Sequence, residues 1–266
     1  MTQIGMQVDK EIARRHFSRA ARSYNAWSEP QKRMADRLMA SLAAVERPES
    51  ILDVGCGTGL LTERLEAAYP NSKITAIDIA EGMIEECRRK WGESERVAFA
   101  VADVESLDLD QQFDLIVSNS CFQWVSDLQR AMLRIAEHLQ PSGRVIFSAT
   151  TRGTLQELWS SYAIATSGNA AGHRLPDLED YVRSVVRAGL AIESAREETT
   201  VLTYDKPEHV IRSLRGIGAT RAAAGARAGL SRSQLKAVIE TYRKHFSTED
   251  GRVTCAYRAA YVKARR

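Results

Sequence analysis

An α/β fold, with a seven-stranded, mostly parallel sheet and an antiparallel last strand, is predicted by three features of this 266-residue chain. From residue 51 onward short apolar runs alternate with helical stretches, the pattern of βαβ units whose sheet is buried on both faces. A glycine-rich turn, "VGCGTG", joins the first run to the first of those helices, so backbone can come close to a ligand there and the helix start offers free N–H groups. The chain closes on "VTCAYRAAYVKA", whose alternation suits a final antiparallel strand.

In chain order, residues 10 to 28 place Ile12, Phe17, Ala20, Ala21, Tyr24 and Trp27 at helical spacing, and Pro30 precedes a second stripe of Met34, Leu38 and Leu42. Two N-terminal helices follow, and residues 1–45 are read as a lid. The core, 46–150, holds "ILDVG", "TAIDIA", "VAFAVADV", "FDLIVSNS" and "RVIFSAT" as strands, with helices near 59–68, 81–91 and 127–140. Residues 151–190 read as a helical insertion above the sheet, "TLQELWSSYAIAT" and "LEDYVRSVVRAG" separated by the Gly- and Asn-containing stretch 167–176. The C-terminal part, 191–266, begins with a loosely alternating strand. A helix opened by Pro207 and stopped by Gly216 and Gly218 comes next, then one opened by a Ser231–Gln234 capping box.

Composition narrows the class. With 44% apolar residues one substantial core can form, and no stretch approaches eighteen consecutive apolar residues. The N-terminus lacks a signal-peptide pattern, so the expected address is cytoplasmic, with no membrane partner. Four scattered cysteines suggest neither disulfides nor a zinc site, and five dispersed histidines give no metal set. Residues 207–266 carry 13 Lys and Arg against 4 Asp and Glu, a net +9, while residues 1–206 carry 24 against 30, a net −6. That basic end is either a solvated surface or a docking face for an acidic partner.

The turn itself discriminates among ligands. Gly59 is followed by Leu60 and Leu61 rather than Lys-Ser or Lys-Thr, which excludes a P-loop. The spacing Gly55-x-Gly57-x-Gly59 is not the dinucleotide GxGxxG. The octapeptide "LDVGCGTG" instead resembles motif I of class I S-adenosylmethionine-dependent methyltransferases. The resemblance implies their Rossmann-like fold and places Asp78, nineteen residues beyond Gly59, on the ribose hydroxyls. It sets Ile79 and Met83 beside the adenine, and Asp103, with Val104, at the adenine amino group. Asn119 falls by the methionine part, and Asp53 orders the loop and the cofactor's amino end.

Beyond this motif the chain is similar over nearly its whole length to the malonyl-[acyl-carrier protein] O-methyltransferases of biotin synthesis. The carrying stretches are "FSRAARSYNAWSEPQKRMADRL", "SNSCFQW", "FSATTRGTLQEL" and "IRSLRGIGATRAAAGARAGLSRSQL". The resemblance implies methyl transfer to the free carboxylate of a malonyl thioester held on an acyl carrier protein. Tyr24 and Gln31 would close over the cofactor, and Gln123 and Trp124 would wall the transfer site. Arg212 and Arg215, three apart on the helix after Pro207, would meet the carboxylate and the acidic carrier, Arg212 being favoured for the carboxylate. An ionised carboxylate needs no general base, which suits a chain without an evident one. The other readings are a methyltransferase of a small free polycarboxylate such as trans-aconitate, distinguished by "RSLRGIGAT", and a cofactor-binding assembly factor without catalysis. A nucleic-acid enzyme is disfavoured by the absence of an Asn/Asp-Pro-Pro-Tyr/Phe loop and of any stacking surface. A monomer is expected.

Overall fold

The computed structural model describes residues 9–42, 45, 47–166, 175–219 and 231–266. Residues 1–8 of the expected lid, most of the stretch 167–176, and the "RAAAGARAGL" part of the C-terminal signature lie outside the described residues.

Seven strands, β1 (Ser50–Val54), β2 (Lys73–Asp78), β3 (Val97–Val101), β4 (Phe113–Asn119), β5 (Leu139–Thr150), β6 (Ala191–Tyr204) and β7 (Val253–Arg265), form one sheet in the order β3-β2-β1-β4-β5-β7-β6. The first five pair in parallel, and β7 runs against both of its neighbours, β5 and β6. The predicted mostly parallel sheet with an antiparallel last strand is thus the observed one, a class I methyltransferase architecture.

Alternation along the strands divides the core into two layers. On one face Ile51, Leu115, Val117 and Ile146 pack with Met34 and Leu38 of α2 (Glu29–Leu42) and with Leu61 and Leu65 of α3 (Leu60–Ala68). On the other, Leu52, Val54, Ile116 and Phe147 pack with Met132 and Ile135 of α5 (Leu128–Glu137) and with Tyr181 and Val185 of α7 (Leu178–Arg187). The stretch 151–190 therefore divides. Its second helix, α7, belongs to the layer under the sheet, tied there by the Tyr181 hydroxyl to the carbonyl of Thr150 at 3.0 Å.

The longest two strands build the upper storey. Pairing of β5 with β7 ends at Thr150↔Ala259, but β6 and β7 continue together from Thr199↔Arg258 to Tyr204↔Val253. This two-stranded ribbon outruns the C-terminal edge of the parallel strands, and an isolated ribbon needs a covering layer. Three helices supply it: α6 (Gln156–Ala165), α8 (Pro207–Gly216) and α9 (Arg232–Phe246), around Val210, Val238, Tyr242 and Tyr257. The capping box at Ser231 and Gln234 forms as the sequence predicts.

The N-terminal helix α1 (Lys10–Trp27) closes the top, gripped through glycines on two sides. A Cβ on Gly82 of α4 (Glu81–Trp91) would lie 2.5 Å from the Ser18 carbonyl oxygen, and one on Gly216 would lie 2.3 Å from the Trp27 ring. Only a bare backbone lets the helices come so close. Among the described residues, no helix is long and apolar enough to cross a membrane.

Candidate active site

The glycine turn lies at the C-terminal edge of β1, where open α/β sheets bind ligands. Gly55, Gly57 and Gly59 have φ of 70°, 56° and 80°, all left-handed. Each is glycine for a different steric reason. A Cβ on Gly55 would fall 2.4 Å from the Cys121 side chain and one on Gly59 2.5 Å from the Trp91 ring, while at Gly57 the space is open. Gly55 and Gly57 line a cavity of about 620 Å³, and Gly59, which caps α3, does not. Gly59 therefore shapes the turn by packing rather than by ligand contact.

Asp78, at the end of β2, fixes the turn and faces the cavity. Its Oδ2 accepts from the Gly57 N–H at 2.9 Å and its Oδ1 from the Ala80 N–H at 2.8 Å. Burial raises its pKa and these two bonds oppose the rise. Each oxygen keeps a lone pair for a further donor, as two ribose hydroxyls would require. Ile79 and Met83 line the same wall. Asp53 does not reach the cavity. It lies fully buried behind the turn, accepting from the Thr62 hydroxyl at 2.7 Å, and burial pushes its pKa up to about 7. It thus orders the loop from beneath, and it stands behind the cavity wall rather than at the cofactor's amino end as expected.

Asp103 and Val104 line the next part of the wall, with a feature the sequence did not announce. Lys10, the first residue of α1, places its Nζ 2.7 Å from Asp103 Oδ2 and 2.8 Å from Glu105 Oε2, and all three side chains line the cavity. Glu105 is buried and also accepts from the Ser126 N–H at 2.6 Å. Lys10 escapes sequence reasoning because its partners lie more than ninety residues away and nothing local marks it.

At the opposite end α2 and the loop after β4 converge. Asn119 donates to the Gln31 carbonyl at 3.1 Å and accepts from the Ser148 hydroxyl at 2.7 Å. The Gln31 side chain lines the cavity, and its buried Oε1 has no partner among the described residues. Ser120 turns the chain with φ 58°, a left-handed conformation costing about 1 to 3 kcal/mol for a non-glycine residue. That turn aims "FQW" inward. Gln123 spends its amide on the loop, donating to the Ser120 carbonyl and accepting from the Thr150 N–H. Trp124 meets Phe17 of α1 edge to face at 5.3 Å. Gln123, Trp124 and Tyr24 all line the cavity. Burial raises the Tyr24 pKa, so its phenol stays a neutral donor.

The two arginines separate. Arg215 lines the cavity and Arg212 does not. On α8, Ile211, Leu214 and Arg215 stand at i, i+3 and i+4 and share the cavity face, while Arg212 is turned away from it; both arginines are exposed. Spacing of three between the arginines suggested one shared face, but the apolar stripe that fixes the helix rotation includes only Arg215. Of the cations on the cavity wall among the described residues, Lys10 is held by two carboxylates, and Arg215 has no ion pair.

The residues fit the cofactor expected from the motif. Asp78 offers acceptors, the open face at Gly57 admits a close ligand, and the orphaned Gln31 oxygen awaits a donor such as an ammonium group.

Comparison with known proteins agrees. A methyltransferase-domain family model matches residues 51–143. Among solved structures, the YcgJ protein of Bacillus subtilis shares the fold at a TM-score of 0.61 and 17% identity, covering 87% of this chain and 97% of that one. The [4+2]-cyclase SpnF does so at 0.56 and 21%, covering 88% and 80%. A cyclase among the neighbours shows that the fold alone leaves the reaction open. Whole-length sequence relatives decide further. The chain is 36% identical to the malonyl-[acyl-carrier protein] O-methyltransferase of Geobacter sulfurreducens, across 97% of this chain and all of that protein. It is 31% identical to that of Anoxybacillus flavithermus, across 96% and 97%. With such likeness running through the lid, the core and the upper helices alike, this chain belongs to the malonyl-[acyl-carrier protein] O-methyltransferase family.

Proposed function

We propose that this protein transfers a methyl group from S-adenosylmethionine to the free carboxylate of malonyl-acyl carrier protein, forming the methyl ester that lets a pimeloyl chain be built for biotin. The observation that carries this reading, beyond family membership, is Arg215, a guanidinium without an ion pair among the described residues, on the wall of a cavity whose other end holds Asp78 and the glycine turn.

Bound S-adenosylmethionine supplies an electrophilic sulfonium methyl, which a carboxylate oxygen takes as the carbon–sulfur bond breaks toward sulfur. The chain's own part is placement. Asp78 accepts from the ribose hydroxyls, Asp103 from the adenine amino group, and Gln31 from the ammonium of the methionine part. Ile79, Met83 and Val104 flank the ring. Tyr24, Asn119, Gln123 and Trp124 enclose the transfer point and exclude water. Arg215, in place of Arg212, pairs with the carboxylate in fork geometry and leaves one oxygen free to react. Arg212, exposed on α8, is assigned to the carrier protein.

The test offers labelled S-adenosylmethionine with malonyl-acyl carrier protein, malonyl coenzyme A and trans-aconitate in parallel. Alkali-labile label on the malonyl carrier is expected, and label on trans-aconitate alone would overturn the substrate. Arg215→Ala is expected to raise KM for the malonyl acceptor about fivefold, since Arg215 is exposed and a solvent-screened charge pair is worth up to about 1 kcal/mol. Affinity for S-adenosylmethionine should hold, as read by calorimetry.

A further inference from the structure

The cavity is larger than its cofactor half. Beyond Arg215 it continues into an annex between α6, α8 and α9, walled by Leu158, Trp159, Tyr162, Leu214, Leu235 and Val238. The annex carries no carboxylate or further cation on its wall among the described residues. A malonyl group presents one methylene between two polar ends, too little apolar surface to account for such walls. The annex is also held firmly in shape. The Leu155 N–H donates to the Ala256 carbonyl at 2.7 Å, and both oxygens of buried Glu157 accept from the Ala256 N–H at 3.1 and 3.0 Å. The ribbon strand β7 thereby pins the first turn of α6.

We infer that this annex binds the pantetheine arm of the acyl carrier, so that the enzyme recognises an acyl-pantetheine rather than a malonyl group alone. The inference rests on the malonyl-carrier reading above and extends it to the arm. Three observations favour that occupant. The annex is continuous with the transfer site through Arg215, as an arm tethered to the carboxylate-bearing acyl group requires. Its surface is mixed in the way the arm is: aliphatic walls suit the gem-dimethyl carbons, while the Trp159 indole N–H and the Tyr162 phenol, with no hydrogen-bond partner among the described residues, suit the amides. Arg212 lies exposed one turn along the helix that forms the wall, where an acidic carrier would stand.

The probes are malonyl-pantetheine and malonyl-N-acetylcysteamine, which share the reacting end and differ in the length of arm. The wild-type enzyme is expected to favour malonyl-pantetheine in kcat/KM by at least about tenfold, since a single methylene in an apolar pocket is already worth that much. Trp159→Ala on α6 and Leu235→Gln on α9 are each expected to collapse the preference toward unity through KM, with affinity for S-adenosylmethionine kept. Two variants on separate helices guard against loss of fold, which calorimetry with S-adenosylmethionine reports. Equal kcat/KM for the two thioesters in the wild type, or an undiminished preference in both folded variants, would overturn the inference while leaving the methylation reading intact. Methylation of neither thioester alongside methylation of trans-aconitate would overturn both.

Discussion

Single residues in this site act through their surroundings, and Asp53 shows how far. Its Oδ2 is bonded to Thr62 and its Oδ1 is buried without a partner among the described residues. Burial, aided by the nearby Asp78 charge and opposed by the Thr62 bond, lifts its pKa from 3.8 to about 7. A carboxyl whose folded pKa lies above its unfolded one holds its proton more tightly when folded. Its contribution is therefore lost as pH rises from about 4 to about 7, at a limiting slope of about 1.4 kcal/mol per pH unit. Asp53→Asn keeps the acceptor for Thr62 and removes the titration. Relative to the wild type, this variant is expected to gain stability between pH 5 and pH 8 in urea unfolding without cofactor. Parallel stability curves for the two proteins would show that Asp53 does not titrate in this window.

At the scale of elements, legibility followed locality. The strands, the glycine turn, α8 opened by Pro207 and α9 opened by its capping box were readable because each is written in a few adjacent residues. Asp78, Asp103 and Asn119 were readable because strand ends in this sheet share one edge. What escaped depends on helix rotation and on distant pairing: the departure of Arg212 from the cavity, the placement of α7 beneath the sheet, and the fastening of α1 by Lys10. The last has a measurable consequence. Lys10 joins α1 to the two carboxylates at the proposed adenine end, and a partly buried set of this kind is worth about 1 kcal/mol, or roughly fivefold in affinity. Lys10→Met is expected to weaken S-adenosylmethionine binding by about that factor and to hasten its release in stopped flow, with Lys10→Arg restoring both. Unchanged release would mean that the glycine contacts at Gly82 and Gly216 hold α1 without help from Lys10.

Across the whole molecule, the +9 of the last sixty residues is not one face. Two basic side chains of β7 are answered by acids on the neighbouring strand, Arg258 by Glu197 and Lys263 by Glu193. Arg243 pairs with Glu208, and Arg252 with Asp250. Six cations of this stretch are without an ion pair among the described residues: Arg265 and Arg266 at the far end of β7, and Arg212, Arg215, Arg232 and Lys244 on α8 and α9, the helices that wall the annex. Four of the six thus stand where the carrier's arm would enter. Exposed charges of this kind act at long range and weaken as the Debye length falls from about 10 Å at 0.1 M salt to about 3 Å at 1 M. KM for malonyl-acyl carrier protein is therefore expected to climb steeply with salt, while KM for malonyl-pantetheine, which lacks the carrier's acidic surface, should change far less. Arg212→Glu, outside the cavity, should flatten the carrier's salt dependence and leave that of malonyl-pantetheine as it was. If both acceptors showed the same salt dependence, the free charges on α8 and α9 would not be the carrier's dock, and the arm alone would bring substrate to the site.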